Sequence, residues 1–173
     1  MPPLETLNAV SDAEFVALLG GVFEGSPWVA AGAAAGRPYA SFEALHAAMV
    51  RVVEGAGEGA QLELLRAHPD LAGKAALAGE VSAASSAEQE GAGLDRLSEA
   101  SLERFHALNA RYRERFGFPF ILAVRGHTAP SILASFEARL ANTPEQERAR
   151  ALREVFRIAH FRLRDLITES PSS

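Results

Sequence analysis

Only one stretch of this 173-residue chain reads as a β-strand, and it has no partner. Phe118-Pro119-Phe120-Ile121-Leu122-Ala123-Val124 is an apolar run of strand length. No other segment has a matching pattern, so a sheet cannot form around it. The run is therefore expected to be a buried extended segment threaded between helices, and the fold class is all-α.

Helix signals fill the rest. Ser11-Asp12-Ala13-Glu14 reads as a capping box, and Phe15, Leu18, Leu19, Val22 and Phe23 recur at helical spacing until Gly25-Ser26-Pro27. A short helix begins at Trp28 and is broken by Gly36-Arg37-Pro38. Ser41 starts another, with Leu45, Met49, Val52 and Val53 on its buried stripe. Further helices are expected over 58–67, 97–116, 130–141 and 144–167. The last has Leu152, Val155, Phe156, Ala159, Leu163 and Leu166 facing inward. The Ala-, Gly- and Ser-rich stretch 71–86 reads as a connection within one domain rather than a linker, and Ser85 or Ser86 is placed to cap the helix carrying Glu88 and Gln89. The expectation is a single domain over 1–173, a bundle of about seven or eight helices, with no internal repeat.

Composition excludes several classes. There are no cysteines, so disulfides, zinc-thiolate sites and thiol nucleophiles are absent. The net charge of -5 offers no broad attraction to nucleic acid. The arginine clusters Arg111, Arg113, Arg115 and Arg148, Arg150, Arg153 alternate with Glu and read as solvated helix faces. No apolar run approaches the ~20 residues that span a bilayer. Neither the first residues nor Ser170-Pro171-Ser172-Ser173 resemble an export or peroxisomal signal. The expected location is the cytoplasm, with no membrane or nucleic-acid partner.

Five histidines invite a metal reading, but none stands in a paired ligand motif. His46, His106 and His160 fall inside helices and read as edge-of-core or surface residues; His127 follows Arg125-Gly126 in a loop. His68 differs, because Pro69 follows it. Proline disfavours helix at the residue before it, so the imidazole sits at a helix end and can project into a cavity or lie against the helix dipole. About twenty residues later come Glu88 and Gln89. They complete a capping box, or they set a carboxylate beside the imidazole, fixing its tautomer and raising its pKa. A histidine and a carboxylate on successive elements are the parts of an acid–base site. Arg162, among Ile158, Phe161 and Leu163, either snorkels outward or binds a carboxylate or polar heterocycle with its planar fork. Gly91-Ala92-Gly93 follows no strand and is too short for a phosphate loop, and no serine sits on a Gly-x-Ser-x-Gly elbow.

Several motifs in order resemble one family. His68-Pro69-Asp70-Leu71-Ala72-Gly73-Lys74, Ser85-x-x-Glu88-Gln89-x-x-Ala92-Gly93-Leu94, Tyr112-x-x-x-Phe116-Gly117-Phe118-Pro119-Phe120-Ile121 and Arg125-Gly126 are similar to the signature of the 2-oxo-4-hydroxy-4-carboxy-5-ureidoimidazoline (OHCU) decarboxylases of urate breakdown. Phe23-Glu24-x-Ser26-Pro27-Trp28-Val29 and Ile158-Ala159-x-x-Arg162-Leu163 also resemble that family, and the similarity covers about 10–168. It implies an all-helical, cofactor-free carboxy-lyase, of a family often homodimeric, that converts OHCU to (S)-allantoin and carbon dioxide. It implies His68 and Glu88 as catalytic residues, and Pro69, Ser85, Gln89, Phe120, Ile121 and Arg162 as substrate contacts, with no metal. The departure is the loose segment 75–86. Two other readings stand beside it: a helical interaction module without chemistry, in which His68, Glu88 and Arg162 do not converge, and a related enzyme acting on a different ureido compound.

Overall fold

Hydroxyl side chains set where many of the helices begin. In the computed structural model, which describes residues 2–73, 76 and 78–167, Ser11 accepts from the Glu14 N–H (3.2 Å), Ser41 from Ala44 (3.1 Å) and Ser98 from Ser101 (3.2 Å). Each such cap satisfies a donor that the helix itself leaves open and stabilises by about 1 kcal/mol. Thr128 and Ser131 form a reciprocal capping box. The resulting elements are α1 (Leu4–Ala9), α2 (Asp12–Leu19), α3 (Trp28–Ala34), α4 (Phe42–Glu54), α5 (Glu58–Arg66), α6 (Ala83–Gly91), α7 (Glu99–Phe116), α8 (Ala129–Arg139) and α9 (Pro144–Leu166). Nine helices and no strand are present among the described residues. The helix beyond the expected seven or eight is α1, whose six residues are too short to display a periodic stripe. Lys74 and the Ser170-Pro171-Ser172-Ser173 tail lie outside the described residues. No helix among the described residues is long and apolar enough to cross a membrane.

One expected boundary is corrected. Ser82, rather than Ser85 or Ser86, caps α6, accepting from the Ser85 N–H at 3.1 Å. Ser85 therefore lies inside the first turn, and Glu88 and Gln89 fall in the helix interior. The capping-box reading of Glu88 and Gln89 is removed. Ser85, Glu88 and Gln89 then share one face of α6 at i, i+3 and i+4.

The chain divides into two compact units: residues 1–67 with 156–173, and residues 68–155. The first unit holds α1 to α5 and the last part of α9. Its core contains Leu7, Phe15, Leu19, Phe23, Leu45, Met49, Leu64, Leu65 and Leu163. Helices α3 and α4 approach closely at Gly32, where an added Cβ would meet Val52 Cγ1 at 2.8 Å. Arg37 ties the N-terminal helices together. Its guanidinium donates to Leu7 O (2.8 Å), Val10 O (2.7 Å) and Ala34 O (3.0 Å), and it lies over the Phe15 ring.

The second unit is built on α7, which buries Phe105, Leu108, Asn109 and Tyr112 as its stripe predicts. Gly117 ends this helix at φ 79°, its N–H bonded to Arg113 O at 2.8 Å. Gly117→Ala should cost about 1–2 kcal/mol, because an L-residue in the left-handed region pays that penalty. Urea denaturation checks this, and an unchanged midpoint would show that the cap forms without left-handed geometry.

Residues 118–124 are buried, as expected, and form neither helix nor strand, so their backbone is served by side chains in place of a sheet. Arg139 donates to Ile121 O (2.6 Å), and the Ala123 N–H donates to Glu154 Oε1 (3.1 Å). Arg139 is itself paired with Glu147, which also accepts from the Tyr112 hydroxyl (2.7 Å) and from Asn142 Nδ2 (3.0 Å). Burial first, then the hydrogen bond to Glu147, pushes the Tyr112 phenol well above its ordinary value, so it remains a donor. Phe120 stacks on Phe136 at 3.9 Å with the Arg139 guanidinium 4.4 Å from its ring centroid.

The reading of α9 needs one amendment. Val155, Ala159 and Leu163 are buried as expected, but Leu166 at the helix end is 38 % exposed, while Glu147 and Glu154 are 0 % and 2 % exposed. The alternating charges around Arg148, Arg150 and Arg153 are thus only partly a solvated face. These two carboxylates are turned inward because buried donors await them.

Candidate active site

Pro69 does what its position requires. Helix α5 stops at Arg66, Ala67 serves as its cap, and His68 follows at the start of the second unit, only 6 % exposed. An imidazole this buried beside a chain turn is held by its surroundings rather than left to solvent.

Helix α6 supplies the next expected residues. Ser85 and Gln89 are buried and Glu88 is half-buried. Both ends of the Gln89 amide engage the turn that follows His68-Pro69: Oε1 accepts from the Ala72 N–H (2.9 Å) and Nε2 donates to Asp70 O (3.3 Å). The helix carrying Glu88 is thereby fastened to the turn carrying His68. Helix α7 adds three more bonds to the same turn, from Asn109 Nδ2 to Leu71 O (2.9 Å), from His106 Nε2 to Ala72 O (3.1 Å) and from Arg113 Nε to Asp70 Oδ1 (2.9 Å). His106, expected at the edge of the core or the surface, is half-buried and donates to main chain.

Phe120 and Ile121 are buried on the 118–124 segment of the same unit, 1 % and 2 % exposed. The Phe120 ring is already packed between Phe136 and Arg139, and Ile121 O is bonded to Arg139.

Arg162 belongs to the first unit. It does not snorkel outward. Its Nη1 donates to Glu24 Oε2 (2.7 Å) and to Gly21 O (3.2 Å), and both side chains of the ion pair are nearly fully buried. The Glu24 carbonyl in turn accepts from Ser26 Oγ (3.0 Å), which sets the turn entering Pro27. Sequence reasoning gave Glu24 no role, although an acidic residue among the apolar neighbours of Phe23-Glu24-x-Ser26-Pro27-Trp28 was a signal that a buried cation awaits it.

The remaining histidines make structural contacts. His46 and His160 meet edge to face at 5.2 Å, and His46 Nε2 contacts Phe156 O at 2.9 Å. Burial, and then the charges of His46 and Arg164, lower the His160 pKa. His127 Nδ1 lies 3.0 Å from Ser131 Oγ. Among the described residues no three His, Asp or Glu side chains gather into a group able to hold a metal ion.

Comparison with known proteins bears on this arrangement. The sequence profile of the OHCU decarboxylase family matches residues 8–164. A 2-oxo-4-hydroxy-4-carboxy-5-ureidoimidazoline decarboxylase from Haloferax volcanii is 45% identical over 160 residues, covering 92% of this chain and 93% of the relative. A uric acid degradation bifunctional protein from Bacillus sp. (strain TB-90) is 40% identical over 173 residues, and this chain spans only 34% of its length. The crystal structure of an (S)-allantoin synthase superimposes with a TM-score of 0.74 at 37% identity, covering 95% of this chain and 54% of that one. An OHCU decarboxylase crystallised in the presence of (S)-allantoin has a TM-score of 0.69 at 22% identity, covering 91% and 98%, which speaks to the fold alone. On these matches, the chain belongs to the OHCU decarboxylase family.

Proposed function

We propose that this protein removes carbon dioxide from OHCU and delivers (S)-allantoin, acting in urate degradation. The observation that carries the reading is the family match running through residues 8–164, which includes every residue named for the site. The match passes through both compact units, which supports treating 1–173 as one enzymatic domain.

The substrate explains why side chains of this kind suffice. Its carboxylate is one carbon from a C=N bond. When the C–C bond breaks, carbon dioxide leaves and the electron pair passes through the new C=C bond onto the imine nitrogen, which takes up a proton, so no metal, pyridoxal or thiamine electron sink is needed. The enol that results loses its hydroxyl proton and gains a proton on the carbon bearing the ureido group. His68, with Glu88 as its carboxylate partner, handles one of these transfers. Arg162, Gln89 and Ser85 hold the ring and its ureido or carboxylate groups, so that one face meets the proton. Pro69, Phe120 and Ile121 supply the apolar and main-chain wall.

Burial and the Glu24 pair support a fixed guanidinium at Arg162. Arg162→Ala should raise KM about 10- to 100-fold, as loss of a charge-assisted hydrogen bond of about 1.5–3 kcal/mol implies, with a smaller effect on kcat. Because Glu24 would then be a buried charge without its cation, the Glu24→Gln, Arg162→Gln double variant is measured alongside to separate folding from binding. An unaltered KM in both would contradict the binding role.

In D2O, OHCU should yield one equivalent of carbon dioxide and allantoin deuterated at the ureido-bearing carbon, read by NMR. Ring opening without carbon dioxide would instead favour a related enzyme on ureido compounds. A homodimer completes the proposal, on the strength of the resemblance. A sedimentation mass of one chain would remove the dimer.

A further inference from the structure

Arg162 is gripped by one short turn of the first unit. Its Nη1 donates to Glu24 Oε2 (2.7 Å) and to Gly21 O (3.2 Å), so a carboxylate and a carbonyl of the same turn share one nitrogen of the fork. The turn is itself fixed from both sides. Val22 and Phe23 are buried, Ser26 Oγ donates to Glu24 O (3.0 Å), and the Ser26 N–H donates to Phe23 O (3.0 Å). Gly25 follows Glu24 at φ 59°, and an added Cβ there would meet Ala67 Cβ at 3.2 Å. A side chain at that position would face both the left-handed penalty and a crowded neighbour. Glu24 therefore reaches Arg162 from a backbone with little freedom to move.

Packing alone does not call for this pair. Ala159 and Leu163 flank Arg162 on α9 and are fully buried, so the helix already has apolar anchors here. Apolar residues of similar volume often stabilise as well as a buried ion pair or better, because both charges must leave water. The pair does have an electrostatic consequence. A buried guanidinium by itself attracts any small anion, inorganic phosphate included. Beside Glu24 the net charge is zero, and a planar fork of N–H donors in a fixed orientation discriminates by geometry instead.

We propose that Glu24 is a positioning residue that sets the selectivity of Arg162. It fixes the guanidinium and cancels its charge, so that the site takes a ureido- or imide-bearing ligand by hydrogen-bond geometry and turns away small inorganic anions. The proposal rests on the reading of Arg162 as a substrate contact.

The first arm of the test uses Glu24→Gln, which keeps an acceptor oxygen and loses the charge, with inorganic phosphate as the probe in thermal melts. Phosphate should bind Glu24→Gln at least about tenfold more tightly than it binds the wild type, and should compete with OHCU in that variant. The Glu24→Gln, Arg162→Gln double variant should lose the gain, which separates binding at Arg162 from the general stabilising effect of phosphate. The second arm uses Glu24→Asp, which keeps the charge on a shorter side chain and decides the matter alone if Glu24→Gln does not fold. Its KM for OHCU should rise about tenfold with kcat within about twofold of wild type, and phosphate should gain no affinity. A folded Glu24→Gln with the wild-type phosphate response would overturn the proposal, as would a gain that persists in the double variant or a wild-type KM in Glu24→Asp. The melts need no turnover, so the two readings fail separately. A wild-type protein that does not convert OHCU removes the decarboxylase reading, while the phosphate response still decides the role of Glu24.

Discussion

Replacing His68 by asparagine should remove about 10²- to 10⁴-fold of the rate on OHCU, the range a positioned general acid or base contributes. The argument starts from burial. A 6 % exposed imidazole at the end of α5, next to a turn gripped by Gln89, Asn109 and His106, cannot swing to solvent for its proton traffic. On the proposed mechanism it acts where it is held. Asparagine keeps a similar volume and hydrogen-bonding capacity, so helix content and melting temperature should stay near wild type while kcat collapses. If turnover survived intact in a folded variant, His68 would be a packing residue and the chemistry would have to be sought elsewhere.

Glu147 should dominate a second, purely energetic experiment. It is 0 % exposed and accepts from Arg139, Tyr112 and Asn142. Glu147→Leu leaves the buried Arg139 guanidinium without its anion and the Tyr112 hydroxyl without its acceptor. Breaking a buried ion pair from one side costs about 3–5 kcal/mol, chiefly because the surviving charge is uncompensated. Chemical denaturation should show that loss. The Arg139→Met, Glu147→Leu double variant should recover much of it, since apolar residues need no partner. The same double variant also frees Ile121 O, which Arg139 holds at 2.6 Å, so it should regain stability more fully than activity. A wild-type denaturation midpoint for Glu147→Leu alone would contradict the assignment.

The two experiments bear on what could be read beforehand. Helix identity was legible wherever a cap and a stripe coincided, as at Ser41 with Leu45, Met49 and Val53, or along α7. The buried, irregular 118–124 segment was legible by elimination, because a lone apolar run has nowhere to pair. Its means of support was not: Arg139, Glu147 and Glu154 look like surface charges in sequence, and only tertiary packing turns them inward toward backbone donors and acceptors. The start of α6 was misplaced because three serines, Ser82, Ser85 and Ser86, all suit a cap, and local chemistry does not choose among them. Spacing singled out His68 and Glu88, and the remaining candidate site residues came from the motifs that resemble the family. The side chains that hold them, Glu24, His106 and Asn109, were hidden because each is separated by dozens of residues from the group it holds.

The central claim is that this chain decarboxylates OHCU with control of one face. Circular dichroism of freshly generated OHCU, made from urate with urate oxidase and hydroxyisourate hydrolase, tests it most directly. Added protein should produce rapid growth of the (S)-allantoin signal, and His68→Asn should lose that growth. Slow decay to an optically inactive product, at the rate seen without protein, would contradict the account and leave a helical interaction module or a different ureido substrate in its place.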